Sequence, residues 1–223
     1  MAQYHFSFKK FCRPFVLVIL FFSSPSLQAH PHSWIDLKTT FLGTETHITG
    51  FKMSWSFDAI TSMYMLDGEE LTDGNRARIL KKVSHSVMKN INLEHYFTYF
   101  YDGDSPIKYS FSDQGVVTQH KRKLQLDFYL PLAKPELINN KVFRLLVFEP
   151  SYYVDMSWLN QKDIQLSQAL NKSCSVKLIA PHPSAKLINY AMTLPAGANP
   201  DNALGQLFTQ VAQITCSKVS TKK

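Results

Sequence analysis

The sequence predicts an α+β fold that is mainly β: an antiparallel, sandwich-like domain carrying an αα insertion. Three observations predict it. Apolar and polar residues alternate with a period of two through several segments, the pattern of half-buried strands. One stretch alone has a strong helical period. No internal repeat and no long Pro/Ser/Gly linker divides the chain, so residues 30–223 read as a single domain.

The elements follow in order. In Trp34–Phe41, Ile35, Leu37 and Phe41 share one face while Asp36 and Lys38 take the other. Over His47–Phe57 the apolar face is Phe51, Met53, Trp55 and Phe57. Asp58 is placed to cap a short helix over Ala59–Leu66. Asp73 or Asn75 can cap the main helix, in which Ile79, Leu80, Val83, Val87, Met88 and Ile91 recur at helical spacing. These two helices form the insertion at 58–93, and Arg78, Lys81, Lys82 and Lys89 make its solvated face. Leu124, Leu126, Phe128 and Leu130 define another alternating strand, and His120-Lys121-Arg122-Lys123 before it reads as a solvated hairpin turn. Val142–Phe148 is apolar on both faces, as a central strand covered on two sides should be. Tyr152–Trp158 and Cys174–Ala180 continue the series, and Ser184–Met192 and Ala203–Val211 are weaker helical segments. Gly43, Asp102-Gly103, Gln114-Gly115 and Pro131 supply turns.

The amino terminus reads differently. Lys9, Lys10 and Arg13 precede the apolar run Phe15–Phe22, and the segment ends in Ala29. Basic, apolar and small-residue regions in that order are those of a cleaved secretory signal peptide, residues 1–29. The run is far short of the roughly 20 apolar residues of a membrane span. The expectation is a periplasmic protein, not itself membrane-spanning once processed. Removing the three basic residues of 1–29 lowers the formal charge from +7 to +4, so little remains to attract nucleic acid.

The catalytic inventory is thin. There is no nucleophile elbow, phosphate loop, dinucleotide-binding glycine pattern or His-Glu-x-x-His, and no carboxylate pair is set by spacing. The expectation is a protein that is not an enzyme. Processing leaves Cys174 and Cys216, an even pair suited to one disulfide in an oxidising compartment, with free thiols or thiolate metal ligands as the alternatives. Met53, Met63 and Met65 read as packing residues rather than soft copper ligands.

His30-Pro31-His32 carries the most chemistry. Cleavage after Ala29 makes His30 the first residue, and its α-amine and Nδ1 can close a six-membered chelate ring on a metal ion. The amine has a pKa near 8 in model peptides, so metal displaces its proton near neutral pH. His32 offers a further nitrogen. Pro31 has no amide proton to lose, which blocks the amino-terminal mode that coordinates backbone amides. What remains is a histidine-brace arrangement, with another His drawn from His47, His95, His120 or His182. Imidazole and amine donors suit Zn, Ni or Cu. Against this stands an HPH segment that is merely the polar start of the first strand.

Several segments together resemble a bacterial periplasmic family of unknown function, often described as an uncharacterised ABC-type periplasmic component. They are His30-Pro31-His32 with Trp34-Ile35-Asp36, then Trp55-Ser56-Phe57-Asp58, Tyr96-Phe97-Thr98-Tyr99 with Asp102-Gly103, Glu149-Pro150-Ser151-Tyr152-Tyr153-Val154, and the late Cys174 and Cys216. The chain departs from the family pattern after Asp58, where Ala59-Ile60-Thr61 replaces acidic or aromatic residues. The resemblance implies an accessory of an inner-membrane nickel, cobalt or zinc permease, with metal held at His30 and His32. Two other functions compete: a protein-interaction β domain without metal, and a copper-dependent histidine-brace redox enzyme. The processing expectation is checked by intact mass of protein recovered from the periplasm. A chain starting at His30 is expected, and one starting at Ser24, Pro25 or Leu27 contradicts it.

Overall fold

The structure is a computed structural model, described here for residues 31–195 and 204–217. Residues 1–29 and His30 lie outside the described residues. In chain order the strands and helices are β1 (Ser33–Gly43), β2 (His47–Phe57), α1 (Ala59–Met65), α2 (Arg76–Leu93), β3 (Thr98–Asp102), β4 (Ser105–Pro106), β5 (Gly115–His120) and β6 (Lys123–Leu137). There follow β7 (Val142–Val147), β8 (Val154–Ser157), β9 (Ile164–Leu166), β10 (Cys174–Ile179), α3 (Ala185–Thr193), α4 (Leu204–Phe208) and β11 (Val211–Cys216). The fold is mixed α+β and mainly β, with two sheets face to face.

The first sheet runs β5-β6-β2-β1-β8, with β9 also on β1. The second runs β10-β11-β7-β3-β4. The alternation read from the sequence sets what each strand buries: Leu37 and Phe41 of β1, Phe51, Met53 and Trp55 of β2, and Leu124, Leu126 and Leu130 of β6 all point inward. The sheets meet through aromatic rings. Phe51 lies edge-on to Phe41 at 5.0 Å and to Phe100 of β3 at 5.1 Å, and Phe100 stacks on Phe143 of β7 at 5.4 Å. Edge-to-face geometry lets the positive ring edge meet the negative face, adding about 0.5–1.5 kcal/mol per pair beyond area burial. Trp158 closes this core by donating its Nε1–H to Thr39 Oγ1 at 3.1 Å.

α2 covers the β5–β6 part of the first sheet with Ile79, Val83, Met88 and Ile91. Gly115 is needed where it stands, because a Cβ there would lie 2.7 Å from Met88 Cγ and 2.9 Å from Leu126 Cδ1. Asp58 caps α1 as expected, but the capping expected of Asp73 or Asn75 does not occur. Asn75 occupies the N-cap position of α2 without a side-chain cap bond. Its Oδ1 accepts from the Thr72 N–H and its Nδ2 donates to Glu70 O, so the amide stabilises the preceding loop instead. Pro131 is not a turn but lies inside β6. It faces Gly50 where the β2–β6 register shifts, and a bulge tolerates a residue that cannot donate to the ladder. Lys121-Arg122 does form the β5–β6 hairpin turn, with Lys121 at φ 57. Met53 is buried in the core, whereas Met63 is exposed on α1, so the three methionines form no thioether cluster.

Cys174 and Cys216 stand opposite each other on β10 and β11 and form a disulfide. Their sequence separation of 42 makes the cross-link worth roughly 4 kcal/mol in the chain-entropy model. Thiol titration of oxidised native protein should find no free cysteine. Cys174→Ser should lower stability by about 2–5 kcal/mol in chemical denaturation, and an unchanged midpoint would contradict a structural role for the bridge.

Candidate functional site

Three segments singled out in the sequence converge at the start of β1, and a fourth, Tyr96–Tyr99, packs behind the Glu149 segment against Phe148. Two pairings bring them there. β1 runs antiparallel to β2 with Ile35 opposite Phe57, which delivers Asp58 beside Trp34. On its other edge β1 runs parallel to β8, with Ser33 opposite Val154 and Trp34 opposite Asp155, which delivers the Glu149–Tyr153 segment beside His32.

Each neighbour is anchored by a carboxylate. Asp58 Oδ1 accepts from the N–H groups of Ile60 (2.8 Å) and Thr61 (3.0 Å), capping α1. Its Oδ2 accepts from the Trp34 N–H (3.0 Å), the Thr61 hydroxyl (2.5 Å) and the Ser33 hydroxyl (3.3 Å). Burial works against the charged form. The hydrogen bonds from Thr61, Trp34 and Ile60 prevail and hold the carboxyl at about 2. Thr61, part of the departure from the family pattern, thus serves the Asp58 network through its hydroxyl.

Glu149 organises the other side. Its Oε1 accepts from the Ser151 N–H (2.9 Å), and its Oε2 from the Ser151 hydroxyl and the Tyr153 N–H (both 2.7 Å). These bonds fold a tight turn in which Tyr152 has φ 60 and stacks on Phe208 of α4 at 4.2 Å. Gly205 permits that docking, since a Cβ there would lie 1.9 Å from Glu149 O. Burial, with the Asp155 charge adding to it, pushes the Tyr152 phenol up to about 12. The Tyr96-Phe97-Thr98-Tyr99 segment arrives through a left-handed turn, His95, Tyr96 and Phe97 all having φ near 50. The Phe148 N–H donates to Phe97 O at 2.9 Å, and Tyr99 stacks on Phe148 at 4.4 Å. Bonds between the Tyr96 hydroxyl and the Ser112 backbone (N–H 2.8 Å, C=O 3.1 Å) hold a turn that non-glycine residues disfavour.

His32 sits where these supports meet. Its N–H donates to Tyr153 O at 2.9 Å, and its ring lies 4.9 Å from the Tyr153 ring at a tilt of 36°. Next along the chain, the outer face of β1 carries Trp34 and Asp36, with Asp155 of β8 beside Trp34. Burial raises the Asp155 carboxyl above its ordinary range and the Asp36 charge raises it further, against a hydrogen bond from Ser157. Lys123 pairs with Asp36 at 3.2 Å.

The other histidines are dispersed. His47 begins β2 at the opposite end of the sheet, more than about 30 Å away along the strands, with its Nδ1 on Thr46 Oγ1. His95 packs against the rings of Tyr99 and Tyr109. His120 is at the right end but on β5, three strand spacings or about 14 Å from β1. His182 precedes α3. Among the described residues no three His, Cys, Asp or Glu side chains come together to hold a metal ion. Cys174 and Cys216 are engaged in their disulfide and are not metal ligands. Tyr153 and Asp155 are neighbours that spacing could not reveal, because a parallel β1–β8 pairing across more than a hundred residues leaves no local signal.

The family described as "Protein of unknown function (DUF1007)" matches residues 15–216. The chain belongs to this family. An uncharacterized protein of Haemophilus influenzae is 34% identical over 210 residues, covering 92% of this chain and 99% of its own length. No solved structure matches.

The two anchoring carboxylates differ from ligands in that their oxygens are already occupied by donors. Asp58→Asn keeps an oxygen for the cap but turns an NH2 toward the Trp34 N–H. It should cost about 1–2 kcal/mol at pH 7 by chemical denaturation. The pH dependence has a fixed sign. A carboxyl lowered from 3.8 to about 2 on folding contributes stability above 3.8 that is lost as the pH falls through about 2. The gap between wild type and Asp58→Asn should narrow over that window, and a gap constant from pH 6 to pH 2 would contradict the network.

Proposed function

We propose that this protein is a periplasmic accessory of a transition-metal permease, and that it holds Zn, Ni or Cu as cargo at its processed amino terminus through His30 and His32. The observation that carries the reading is the fixation of His32. Its backbone is bonded to Tyr153 O and its ring lies against the Tyr153 ring, at a strand end anchored from one side by Asp58 and from the other by Glu149. A donor held in place loses less freedom on binding than one on a loose tail, so chelation there gains from preorganisation. The α-amine and Nδ1 of His30 add a chelate pair two residues away, and Pro31 between them restricts the intervening backbone.

The permease association rests on the resemblance of the ordered motifs to a family of periplasmic components. Periplasmic placement rests on the signal-like order of residues 1–29. Among the described residues no helix is long and apolar enough to cross a membrane. Asp58 and Glu149 have their oxygens occupied by backbone N–H and hydroxyl donors, which suits positioning rather than proton transfer, and the proposed role is binding without turnover.

Titration calorimetry tests it on three proteins: the chain starting at His30, the same chain with one Ala added before His30, and His32→Ala. The first should bind near one equivalent of Zn, Ni or Cu and release protons. The Ala extension should weaken binding strongly, because the amine becomes an amide without a lone pair, and His32→Ala should weaken it less. Equal affinities for all three would overturn the site. Reductant-dependent oxygen consumption by copper-loaded protein would favour the redox enzyme instead.

A further inference from the structure

The outer face of the first sheet, turned away from the core, carries two exposed aromatic rings. Trp34 of β1 is 49% exposed and Tyr129 of β6 is 45% exposed. Tyr129 stands opposite Lys52 of β2 and leans over the neighbouring position on the same face, Gly50. A Cβ at Gly50 would lie 3.0 Å from Tyr129 Cε2, and Gly50 is buried although its face is the solvent one. The ring therefore lies along the sheet, one side on the Gly50 backbone and the other open. A ring held flat in this way is an apolar platform with a negative face. Through Lys52 it is level with Thr40 of β1, so six residues and two strand spacings, about 22 Å, separate it from Trp34.

Between the two rings the side chains are polar and partly prearranged. Ser56 Oγ donates to Gln125 Oε1 at 3.3 Å, and Gln125 Nε2 donates to Asp127 Oδ2 at 2.9 Å. This row crosses from β2 to β6. Beside it is a cavity of about 210 Å³ lined by Lys38, Thr40, Lys52, Ser54, Asp127 and Gln165, among others. Hydroxyl, amide, carboxylate and ammonium groups there set donors and acceptors side by side.

Charge restricts what fits. Lys38, Lys52, Lys123 and Lys162 lie on or beside this face. Asp36, Asp127, Asp155 and Asp163 match them in number, so the face is formally neutral. A polyanion or a polycation would meet as much repulsion as attraction. An apolar protein surface would find two rings and otherwise bury polar groups. A neutral chain of sugar rings suits both features: its hydroxyl groups pair with mixed donors and acceptors, and the C–H face of a ring stacks on an aromatic platform.

We propose that the outer face of the first sheet binds a neutral oligosaccharide. One sugar ring stacks on Tyr129, the row of Ser56, Gln125 and Asp127 takes the hydroxyl groups, and the chain extends toward Trp34. The inference is independent of metal binding at the amino terminus.

The test uses the full processed chain with three neutral sugars, cellohexaose, N-acetylchitohexaose and maltohexaose, their disaccharides, and the polyanion hexagalacturonate. Two-dimensional amide NMR should show at least one neutral hexasaccharide shifting the Lys52, Asp127 and Tyr129 resonances saturably, and more tightly than its disaccharide. Hexagalacturonate should bind more weakly than that sugar. Tyr129→Ala should weaken binding about tenfold, as loss of an aromatic anchor does. Tyr129→Phe, which keeps the platform and the packing on Gly50, should bind like wild type. Trp34→Ala should remove the advantage of the hexasaccharide over the disaccharide. No saturable shift with any of the three hexasaccharides, tighter binding of hexagalacturonate, equal binding of hexasaccharide and disaccharide, or indifference to Tyr129→Ala would each overturn the proposal. So would a concentration-dependent dimer abolished by Tyr129→Ala, since the face would then serve a second copy of this chain.

Discussion

Strand β1 is held along both edges, and the arrangement at its start depends on that. β2 pairs with residues 35–43, and the other edge is shared by β8 over residues 33–36 and β9 over residues 39–41. A backbone without partners on one side would have to solvate those groups in water. Pairing both sides fixes the direction of the strand up to Ser33, and the last anchors are side chains. Asp58 takes the Trp34 N–H, and Glu149 holds the turn that presents Tyr153 O to the His32 N–H. Two carboxylates are thereby used as acceptors for backbone N–H and hydroxyl donors. The chemistry left to this corner belongs to the imidazole of His32, whatever precedes it, and the Asp36–Asp155 face.

The fold was largely legible, and for a local reason. Where one face of a strand is buried, a period-two pattern is compulsory, so β1, β2 and β6 announce themselves through Leu37, Met53 and Leu126. α2 does the same through Ile79, Val83 and Met88. The failures are equally physical. Pro131 signals a turn by composition, but tertiary pairing offers a bulge opposite Gly50 that absorbs it. Asn75 has the chemistry of a cap, but Thr72 and Glu70 compete for the same amide.

The candidate site was legible only in part. His32 stood out by its type and position, and Asp58 by its cap. Their meeting with Glu149, Tyr153 and Asp155 follows from a parallel crossover more than a hundred residues long. Parallel pairing requires a long connection, and no hairpin turn marks it in the sequence. The ordered motifs of the family hinted that these segments matter, but carried no information on which strand edges they share. The Cys174–Cys216 pairing was a matter of counting in the sequence, and the direct opposition of the two residues on β10 and β11 supplies its structural reason.

The β1–β8 corner and the β5 edge covered by α2 lie on opposite sides of one sheet. The order β5-β6-β2-β1-β8 separates the β5 edge from the β8 edge by four strand spacings, about 19 Å. Between them Trp55, Phe128, Leu126 and Met53 are buried and interlocked, with Trp55 edge-on to Phe128 at 5.1 Å. A packed sheet of this kind has one arrangement rather than two, so it gives a ligand at one edge little to bias at the other. On the proposed reading the protein is a rigid support for its cargo rather than a switch. An ion would be held at the β1–β8 corner with an affinity independent of contacts made at the far edge of the sheet. Geometry would then do the work of an accessory protein, by fixing the distance and direction between cargo and partner.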